Sequence, residues 1–196
     1  MNKTATLLLL CTLLCVAACE QEEGKFKDPR DKKIYKTVKI GEQIWMAENL
    51  NYEAEGSRCY NDSTAYCKKY GRLYNWETAM KSCPSGWHLP SKEEWEILTE
   101  VIGGKKTAGK HLKAISGWEE NGNGTDAYGF SALPGGSQVS YTGYFGNVGI
   151  AGWWWSSSEY KTDDYAYSRY MHYHDEYLDW YDDDKNLLYN VRCLQD

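Results

Sequence analysis

Four cysteines restrict the fold of this 196-residue chain more than any other feature of its sequence. They are Cys59, Cys67, Cys83 and Cys193. An even number of cysteines in an exported protein predicts a disulfide framework, and four cysteines allow three alternative pairings. Cys59 and Cys67 flank the polar stretch YNDSTAY, which a local bridge closes easily, and Cys83 then pairs with Cys193. We predict these two bridges. A zinc site is not indicated at the cysteines, because no C-x-x-C pair occurs and the histidines are scattered.

The N-terminus has the features of a secretory signal. A basic start at Lys3 is followed by the apolar run ATLLLLCTLLCV and by small residues that end at Cys19. The run is too short to span a bilayer, and small residues follow it as they do at a signal-peptide cleavage site. The junction Val16-Ala17-Ala18-Cys19 resembles a bacterial lipobox. That resemblance implies a signal peptide over residues 1–18 and acylation of Cys19 with palmitate-like chains; an ordinary signal peptide is the alternative.

The lipobox resemblance also sets an expectation for localisation. Two or more acyl chains hold a protein on a membrane lastingly, so the bacterial membrane is one expected partner. The acids Glu20, Glu22 and Glu23 resemble a surface-export signal of some Bacteroidota lipoproteins. We therefore expect an outer-membrane lipoprotein that is surface-exposed or faces the periplasm.

The rest of the chain divides into a short tether and one domain. Residues 19–27 are polar and charged, as in a flexible tether, and residues 28–196 are enough for one domain with its own core. Loss of Lys3 with the signal leaves 21 basic and 28 acidic residues, a net charge of −7. That charge argues against a nucleic-acid partner, whose phosphates attract basic proteins.

Three helices are predicted in the first part of the domain. Ser91 and Glu94 have the spacing of a capping box, and Gly103-Gly104 ends the helix that follows. His88 precedes this helix and is interpreted as a packed, hydrogen-bonded turn residue, not as the partner of a catalytic Cys83. The three helices are predicted to bury Trp95, Leu98 and Ile102; Leu73, Trp76 and Met80; and Ala108, Leu112 and Ile115.

The remaining segments favour strands and loops. Residues 34–52 contain two β-rich runs around Gly41-Glu42, which indicate a hairpin. Past Gly117 the chain is rich in glycine and aromatic residues, as is typical of long structured loops with short strands. Residues 165–173 alternate as a strand does, the acidic stretch DEYLDWYDDDKN is predicted to be a turn region, and LLYNVRCL closes the domain. The fold class predicted is α+β.

Six stretches occur in an order that resembles one bacterial family. They are DPRDKKIYKTVKIGEQIWMAENLNY, YGRLYNWETAM, CPSGWHLPSKEEWEIL, YGFSALPGG, GWWWSSSEY and VRCLQD. Together they resemble the Fibrobacter succinogenes major paralogous domain, over nearly all of residues 28–196. Domains of this family usually occur in secreted or lipidated bacterial proteins, which is what the N-terminal signal also implies.

A more distant resemblance concerns the fold. GWHLPSKEEWEIL and NVRC are similar to motifs of the C-type lectin-like fold used by formylglycine-generating sulfatase-modifying enzymes and by retroelement-diversified binding proteins. The resemblance implies a small twisted antiparallel sheet with long structured loops, and it places Cys193 at a structural disulfide position. Those enzymes bind copper through a redox cysteine pair, but residues 166–190 contain no cysteine. Their activity is therefore not carried over, because fold alone does not imply function.

One stretch could bind a metal. His172 and His174 would point to the same face of a strand, and Asp175 and Glu176 follow directly. The further acids Asp179 and Asp182-Asp183-Asp184 could supply oxygen ligands to calcium. No calcium-binding loop spacing is present and acidic turns are usually only solvated, so we predict no cofactor and keep His172, His174 and Asp175 as weak candidates.

The aromatic content offers a second kind of site. Trp45, Trp76, Trp87 and Trp95 are assigned to the core, and Trp153-Trp154-Trp155 cannot all face inward on one strand, so at least one should be half exposed. Aromatic faces stack on sugars and bind at protein interfaces. The aromatic residues outside the family motifs are the better ligand candidates: Tyr160, Tyr165, Tyr167, Tyr173, Tyr177, Trp180 and Tyr181.

These features favour a binding protein over an enzyme. No G-x-S-x-G elbow occurs, and the abundant carboxylates show no catalytic placement. We expect a non-enzymatic domain that binds an extracellular glycan or protein through loops between Tyr160 and Asn186, since loops on a rigid scaffold commonly carry recognition. The alternatives are a structural cell-envelope protein and, less favoured, a metal-dependent enzyme that uses His172 and His174.

Overall fold

A computed structural model describes residues 24–139 and 141–196. The signal peptide, Cys19 and most of the predicted tether lie outside these residues. Within them the chain forms the strands β1 (Lys25–Lys27), β2 (Ile34–Ile40), β3 (Gln43–Met46), β4 (Trp87–His88), β5 (Gly135–Val139), β6 (Tyr144–Val148), β7 (Ala151–Glu159), β8 (Tyr165–His172), β9 (Asp179–Asp184) and β10 (Leu194–Gln195). The α-helices are α1 (Thr64–Tyr70), α2 (Trp76–Ala79), α3 (Lys92–Val101) and α4 (Lys105–Leu112).

The first sheet joins the beginning of the domain to its end. Its strand order is β1-β2-β3-β10-β4, and the predicted hairpin is β2 and β3, which turn at Gly41 with a positive φ. The last strand, β10, is antiparallel to both β3 and β4. One prediction is corrected here. Lys25–Lys27 were assigned to a flexible tether, but they form a strand that pairs with β2. The edge of β2 would otherwise be unpaired, and this segment adds a strand to it.

The second sheet carries the later part of the chain. Its order is β6-β5-β7-β8-β9, with β7 and β8 in the interior and β9 at one edge. The prediction of a turn region over the acidic stretch is wrong for its central part, because Asp179–Asp184 form a strand that pairs residue by residue with β8. Exposed charge suits an edge strand, since it discourages pairing with a second chain. The two sheets and the helices confirm the α+β class.

Helix α3 follows its sequence signals closely. The Ser91 hydroxyl accepts the Glu94 N–H at 3.2 Å, and a Glu94 carboxylate oxygen accepts the Ser91 N–H at 2.7 Å. Trp95, Leu98 and Ile102 are buried as predicted. Trp95 packs on Trp45 with ring centroids 4.7 Å apart. Both belong to the larger core cluster, which also includes Phe130, Trp154 and Met171, so this helix lies at the centre of that cluster.

The two other helices are shorter than predicted, so their last assigned residues are not in the core. Helix α2 is a single turn, Leu73 lies before it in an isolated bridge with Arg58, and Met80 is 43% exposed. Helix α4 ends at Leu112 because Ala114 donates its N–H to Ala132 in a neighbouring loop. Ile115 is therefore carried away from the helix and is 70% exposed.

The tryptophans divide as the sequence predicts. Trp45, Trp76, Trp87 and Trp95 are all buried. In the run of three, Trp154 and Trp155 are fully buried on opposite faces of β7, because both faces of this interior strand are covered there, while Trp153 is half-buried.

Both disulfides have the predicted pairing. Cys59–Cys67 closes a short loop that contains a 3-10 turn and the start of α1, and Cys83–Cys193 connects the middle of the chain to its end across 110 residues. In the chain-entropy description a loop of this length restricts the unfolded chain by about 4.7 kcal/mol, and the short one by about 2.5 kcal/mol. The second bridge lies beside the pairing of β4 with β10.

Two further features complete the architecture. Arg192 is fully buried and donates to Asn49 Oδ1 at 2.8 Å and to the carbonyls of Met46 and Phe130. These bonds link the segment before β10 to β3 and to the loop ahead of β5. Among residues 24–139 and 141–196, no helix combines the length and the apolar character needed to cross a membrane.

Candidate functional site

The pairing of β7, β8 and β9 sorts the aromatic side chains onto two faces of the second sheet. Trp153 is opposite Tyr170, and Tyr181 is opposite Ser168, two residues away from Tyr170 on the same face. Side chains of directly paired residues share a face, and successive residues alternate. Trp153, Tyr170 and Tyr181 therefore lie side by side; we call them the outer aromatic row.

The outer aromatic row is a nearly continuous and partly exposed surface. The ring centroids of Trp153 and Tyr170 are 4.9 Å apart, and those of Tyr170 and Tyr181 are 5.1 Å apart. Trp153 is supported from below by Tyr189, with the two rings within 14° of parallel. Tyr181 is 48% exposed at the edge of the sheet. The rigid strands thus present three rings without a loop between them.

Carboxylates accompany the outer aromatic row. Asp179 is paired with Tyr170 and lies on the same face. Asp183 also lies on this face, accepts a hydrogen bond from the Ser168 hydroxyl, and has its pKa raised by burial. Burial raises the pKa of Tyr170 to about 12, and neighbouring Tyr181 adds to the effect. The phenol of Tyr170 is therefore a neutral donor beside the Asp179 acceptor at physiological pH.

The opposite face carries a second group of rings, which is covered. We call Tyr160, Tyr167 and Trp180 the capped aromatic cluster. The ring centroids of Tyr160 and Tyr167 are 5.3 Å apart, and those of Tyr167 and Trp180 are 5.7 Å apart. The Arg169 guanidinium lies 3.6 Å from the Trp180 ring centroid, and Lys92 Nζ lies 4.3 Å from that of Tyr167. Trp180 also packs against the larger core cluster. Protein cations and helix α3 already occupy these aromatic faces.

The other predicted aromatic ligands are dispersed. Tyr165 is exposed and pairs with Asp184, and Tyr177 is exposed in the segment between β8 and β9. Tyr173 packs against the larger core cluster, and Glu120 beside its hydroxyl raises its pKa. The seven predicted ligand residues therefore do not form one surface; of them, Tyr181 alone belongs to the outer aromatic row.

The predicted metal-binding residues are partly brought together. β8 ends at His172, so His174 lies in a turn and not on the strand as predicted. The turn nevertheless brings the side chains of His172, His174 and Asp175 close together. Glu176 pairs with Lys110 at 2.7 Å, and the acids from Asp179 to Asp184 lie on both faces of β9. Burial and the charge of His174 lower the pKa of His172.

A further cleft lies elsewhere. It has a volume of about 530 Å³, and four lysines and two carboxylates are among its lining residues: Lys33, Lys36, Lys68, Lys69, Glu48 and Asp126. None of the predicted aromatic or metal-binding residues lines it. Two of its lysines already have other contacts: Lys33 donates to the Asn51 carbonyl, and Lys69 Nζ lies 4.7 Å from the Tyr70 ring centroid. The outer aromatic row is therefore the better candidate for recognition.

His88 is a structural residue, as interpreted from the sequence. Its Nδ1 is 2.7 Å from an Asp196 carboxylate oxygen, and its Nε2 is 2.9 Å from Glu94. Cys83 is in a disulfide, so it supplies no thiol for a catalytic pair. The stretch CPSGWHLPSKEEWEIL thus ties β4, α3 and the end of the chain together.

The motifs that build this junction are also those of a known family. A sequence model of the Fibrobacter succinogenes major domain matches residues 38–195 of the chain. The chain belongs to this family. No curated protein and no solved structure matches it. The match to the Fibrobacter succinogenes major domain covers the second sheet, the helices α1 to α4 and the first sheet apart from β1 and the start of β2. The outer aromatic row therefore lies inside the family domain and not in an added segment.

Sequence reasoning missed two of the three residues in the outer aromatic row. Trp153 lies inside the family motif GWWWSSSEY, and the ligand candidates were taken from outside the motifs. Tyr170 is not among the predicted ligand residues. One signal could have identified Tyr170. Tyr170 shares one face of its strand with His172, and this strand also pairs with the strand of Trp153. That signal requires the register of three strands, which the sequence by itself does not supply.

Proposed function

We propose that this Fibrobacter succinogenes major domain is a non-enzymatic binding module, carried by an envelope-anchored lipoprotein, and that it binds an extracellular glycan through the outer aromatic row. The observation that carries the proposal is the row itself: three partly exposed rings, about 5 Å apart, on rigid strands. Within the described residues, no cation covers these rings, in contrast to the capped aromatic cluster. Tyr189 stacks on one face of Trp153, and Tyr181 is the most exposed ring of the row that a ligand can reach.

A glycan fits this surface for chemical reasons. The C–H faces of sugar rings pack on aromatic faces, and the hydroxyl groups at their edges need polar partners. Asp179 and the Tyr170 phenol supply an acceptor and a donor beside the row. The rings of the row are tilted to one another, by 48° between Trp153 and Tyr170 and by 77° between Tyr170 and Tyr181. A row at a sheet edge, open at Tyr181, suits an extended chain better than a small molecule, which usually binds in a concave pocket.

The location in the cell envelope is part of the proposal. The lipobox at Cys19 lies outside the described residues, so its support comes from the sequence. The two disulfides support an oxidising compartment. We also propose that the fold is C-type lectin-like, on the grounds of the GWHLPSKEEWEIL and NVRC motifs and of a terminal strand that pairs within the first sheet.

A binding assay with matched variants tests the proposal. The full chain, purified in detergent, is incubated with insoluble plant polysaccharides and with a glycan array. Tyr181→Ala should weaken binding about tenfold or more, as the loss of a hot-spot aromatic contact does. Tyr165→Ala is the matched control, because it removes another exposed tyrosine from the neighbouring strand without touching the row.

The outcomes separate glycan binding from the alternatives. Weakening by Tyr181→Ala alone supports the proposal. Equal binding by wild type and both variants, or binding to no glycan, contradicts it. Crosslinking of the chain to envelope proteins, abolished by Tyr181→Ala in the absence of any glycan binding, would instead indicate the structural envelope role.

A further inference from the structure

The turn after β8 holds two imidazoles and a carboxylate within reach of one ion. One ligand atom from each of His172, His174 and Asp175 lies within 4.8 Å of the other two. The two imidazole centroids are 4.0 Å apart, and His174 Nε2 is 3.7 Å from an Asp175 carboxylate oxygen. Tetrahedral zinc, with ligand distances of about 2.0–2.2 Å, needs its ligand atoms closer still. The exposed ring of His174 can close that gap by rotation.

Asp175 and His172 each keep a ligand atom for a metal ion. Asp175 Oδ1 accepts the N–H of Tyr177 at 3.0 Å, which leaves Oδ2. His172 Nδ1 accepts the N–H of His174 at the long distance of 3.4 Å, so Nδ1 carries no proton and is the ring nitrogen that a metal ion would bind in place of this contact. The bond from Tyr177 holds the Asp175 carboxylate from behind, in the way that outer-shell contacts orient metal ligands.

A buried lysine braces the turn. Lys113 is 3% exposed, and its ammonium donates to the carbonyls of His172 at 3.0 Å and of Asp175 at 2.7 Å. Because Lys113 bonds to main-chain oxygens, the side chains of the cluster are not consumed by it. Gly109 and Gly122 allow close packing on the same turn, since a Cβ at either would lie within 2.3 Å of a main-chain oxygen of Tyr177 or Tyr173.

The cluster also borders a cavity. A space of about 320 Å³ is lined by His174, Asp175, Glu176, Lys110, Asn121 and Asn123, among others. Three protein ligands leave at least one coordination position of a zinc-like ion open. An exogenous donor entering this cavity could fill it.

We propose that His172, His174 and Asp175 bind one divalent transition-metal ion of the zinc class. The ligand set selects the metal: imidazole suits zinc, cobalt, nickel and copper, whereas calcium and magnesium prefer six or more oxygen ligands, which this turn does not offer. The cluster adjoins the outer aromatic row, because the ring centroids of His172 and Tyr170 are 6.0 Å apart. It shares no residue with the row, so metal binding does not rest on glycan binding.

Metal titration of the full, untagged chain tests the proposal. After chelator treatment and dialysis, Zn²⁺ is titrated calorimetrically, Co²⁺ is followed by its visible absorption, and Ca²⁺ serves as the metal control. We expect one Zn²⁺ per chain and a Co²⁺ spectrum of low coordination number, with no calcium signal. His174→Gln and Asp175→Asn should each weaken Zn²⁺ binding on the order of tenfold or more.

The matched control is Glu176→Gln, which changes the next carboxylate along the chain but leaves the cluster intact. It should bind Zn²⁺ as wild type does. Circular dichroism melts confirm that each variant is folded; His174 is 62% exposed, so its replacement should not affect folding. Absence of a stoichiometric Zn²⁺ site, or Zn²⁺ binding that survives both His174→Gln and Asp175→Asn unchanged, would overturn the proposal.

Discussion

The outer aromatic row and the capped aromatic cluster are made of the same residue types on neighbouring strands, yet their surroundings are opposite. In the cluster, Arg169 covers Trp180 and Lys92 covers Tyr167, while α3 closes that face of the sheet. The row has no such cover in the described part of the chain, and its outermost ring, Tyr181, is about half exposed. Aromatic residues thus occur here in two settings, one packed by the protein itself and one that we propose as a binding surface.

The difference depends on a single residue step. Trp180 and Tyr181 are adjacent in β9, so their side chains point to opposite faces of the sheet. Trp180 meets Arg169 and the larger core cluster, and Tyr181 meets Tyr170 at the surface. Substitutions on the two faces should therefore separate cleanly into effects on folding and effects on binding.

The largest expected effect comes from the core that underlies the capped side. Trp95 is fully buried between Trp45 and Phe130, so Trp95→Ala should reduce the free energy of unfolding by about 3–5 kcal/mol. Denaturant unfolding of the full chain with its disulfides intact measures this. A loss below about 1 kcal/mol would show that α3 does not anchor the covered face.

Trp180→Ala should cost less, about 1–3 kcal/mol, because the ring is half-buried and its removal exposes one face of the Arg169 guanidinium. Trp180 is among the ligand candidates from the sequence, but its ring is partly buried against the core, so its loss should affect folding. The same unfolding experiment measures the loss. Glycan binding by the folded variant should equal that of wild type; impaired binding at temperatures well below the melt would place the ligand on the capped side.

The elements that could be predicted from sequence depend on short-range signals. The capping box of Ser91 and Glu94 acts within one helical turn, and the Cys59–Cys67 loop closes over eight residues. The second bridge followed by elimination. Met80 and Ile115 were misassigned because a 3.6-residue period was extended past the points where α2 and α4 end. The chain leaves α4 where Ala114 bonds to the distant Ala132, a contact that the local sequence does not reveal.

The candidate site could be predicted only in part, since it depends on long-range pairing. Tyr181 was identified, but its neighbours Trp153 and Tyr170 come from strands whose register is fixed by the rest of the sheet. The acidic character of residues 182–184 favoured a turn, and backbone pairing with β8 outweighed it. The closeness of His172 to His174 was expected for a strand, and a turn produces it instead.

A smaller effect tests whether cations really cap the cluster. Lys92→Met retains the apolar stem but removes the charge 4.3 Å from the Tyr167 ring, so we expect a loss of about 0.5–1 kcal/mol in the free energy of unfolding. Lys106→Met is the matched control, because Lys106 is an exposed lysine of the neighbouring helix α4 and does not belong to the cap. Equal unfolding free energies for Lys92→Met and the control would mean that the covered face is held by α3 packing alone.

The smallest expected effect lies in the junction that fixes both sheets to the end of the chain, and it depends on pH. Burial opposes the charged ring of His88, but hydrogen bonds to Asp196 and Glu94 outweigh it and raise the pKa above its ordinary value of 6.5. A raised pKa in the folded state stabilises the protein fully below pH 6.5, and the stabilisation is lost as the pH rises through the folded-state value. The effect should be small, because the side chain is 37% exposed and solvent screens it.

Melting temperatures measured from about pH 5.5 to about pH 8.5 test this for wild type and His88→Gln. The wild type should exceed the variant most at the acidic end, and the difference should shrink as the pH rises. The glutamine cannot gain a proton, so its own curve should lack this component. A difference that grows with pH would show that His88 is held neutral in the folded protein and that the Asp196 contact does not favour its charged form.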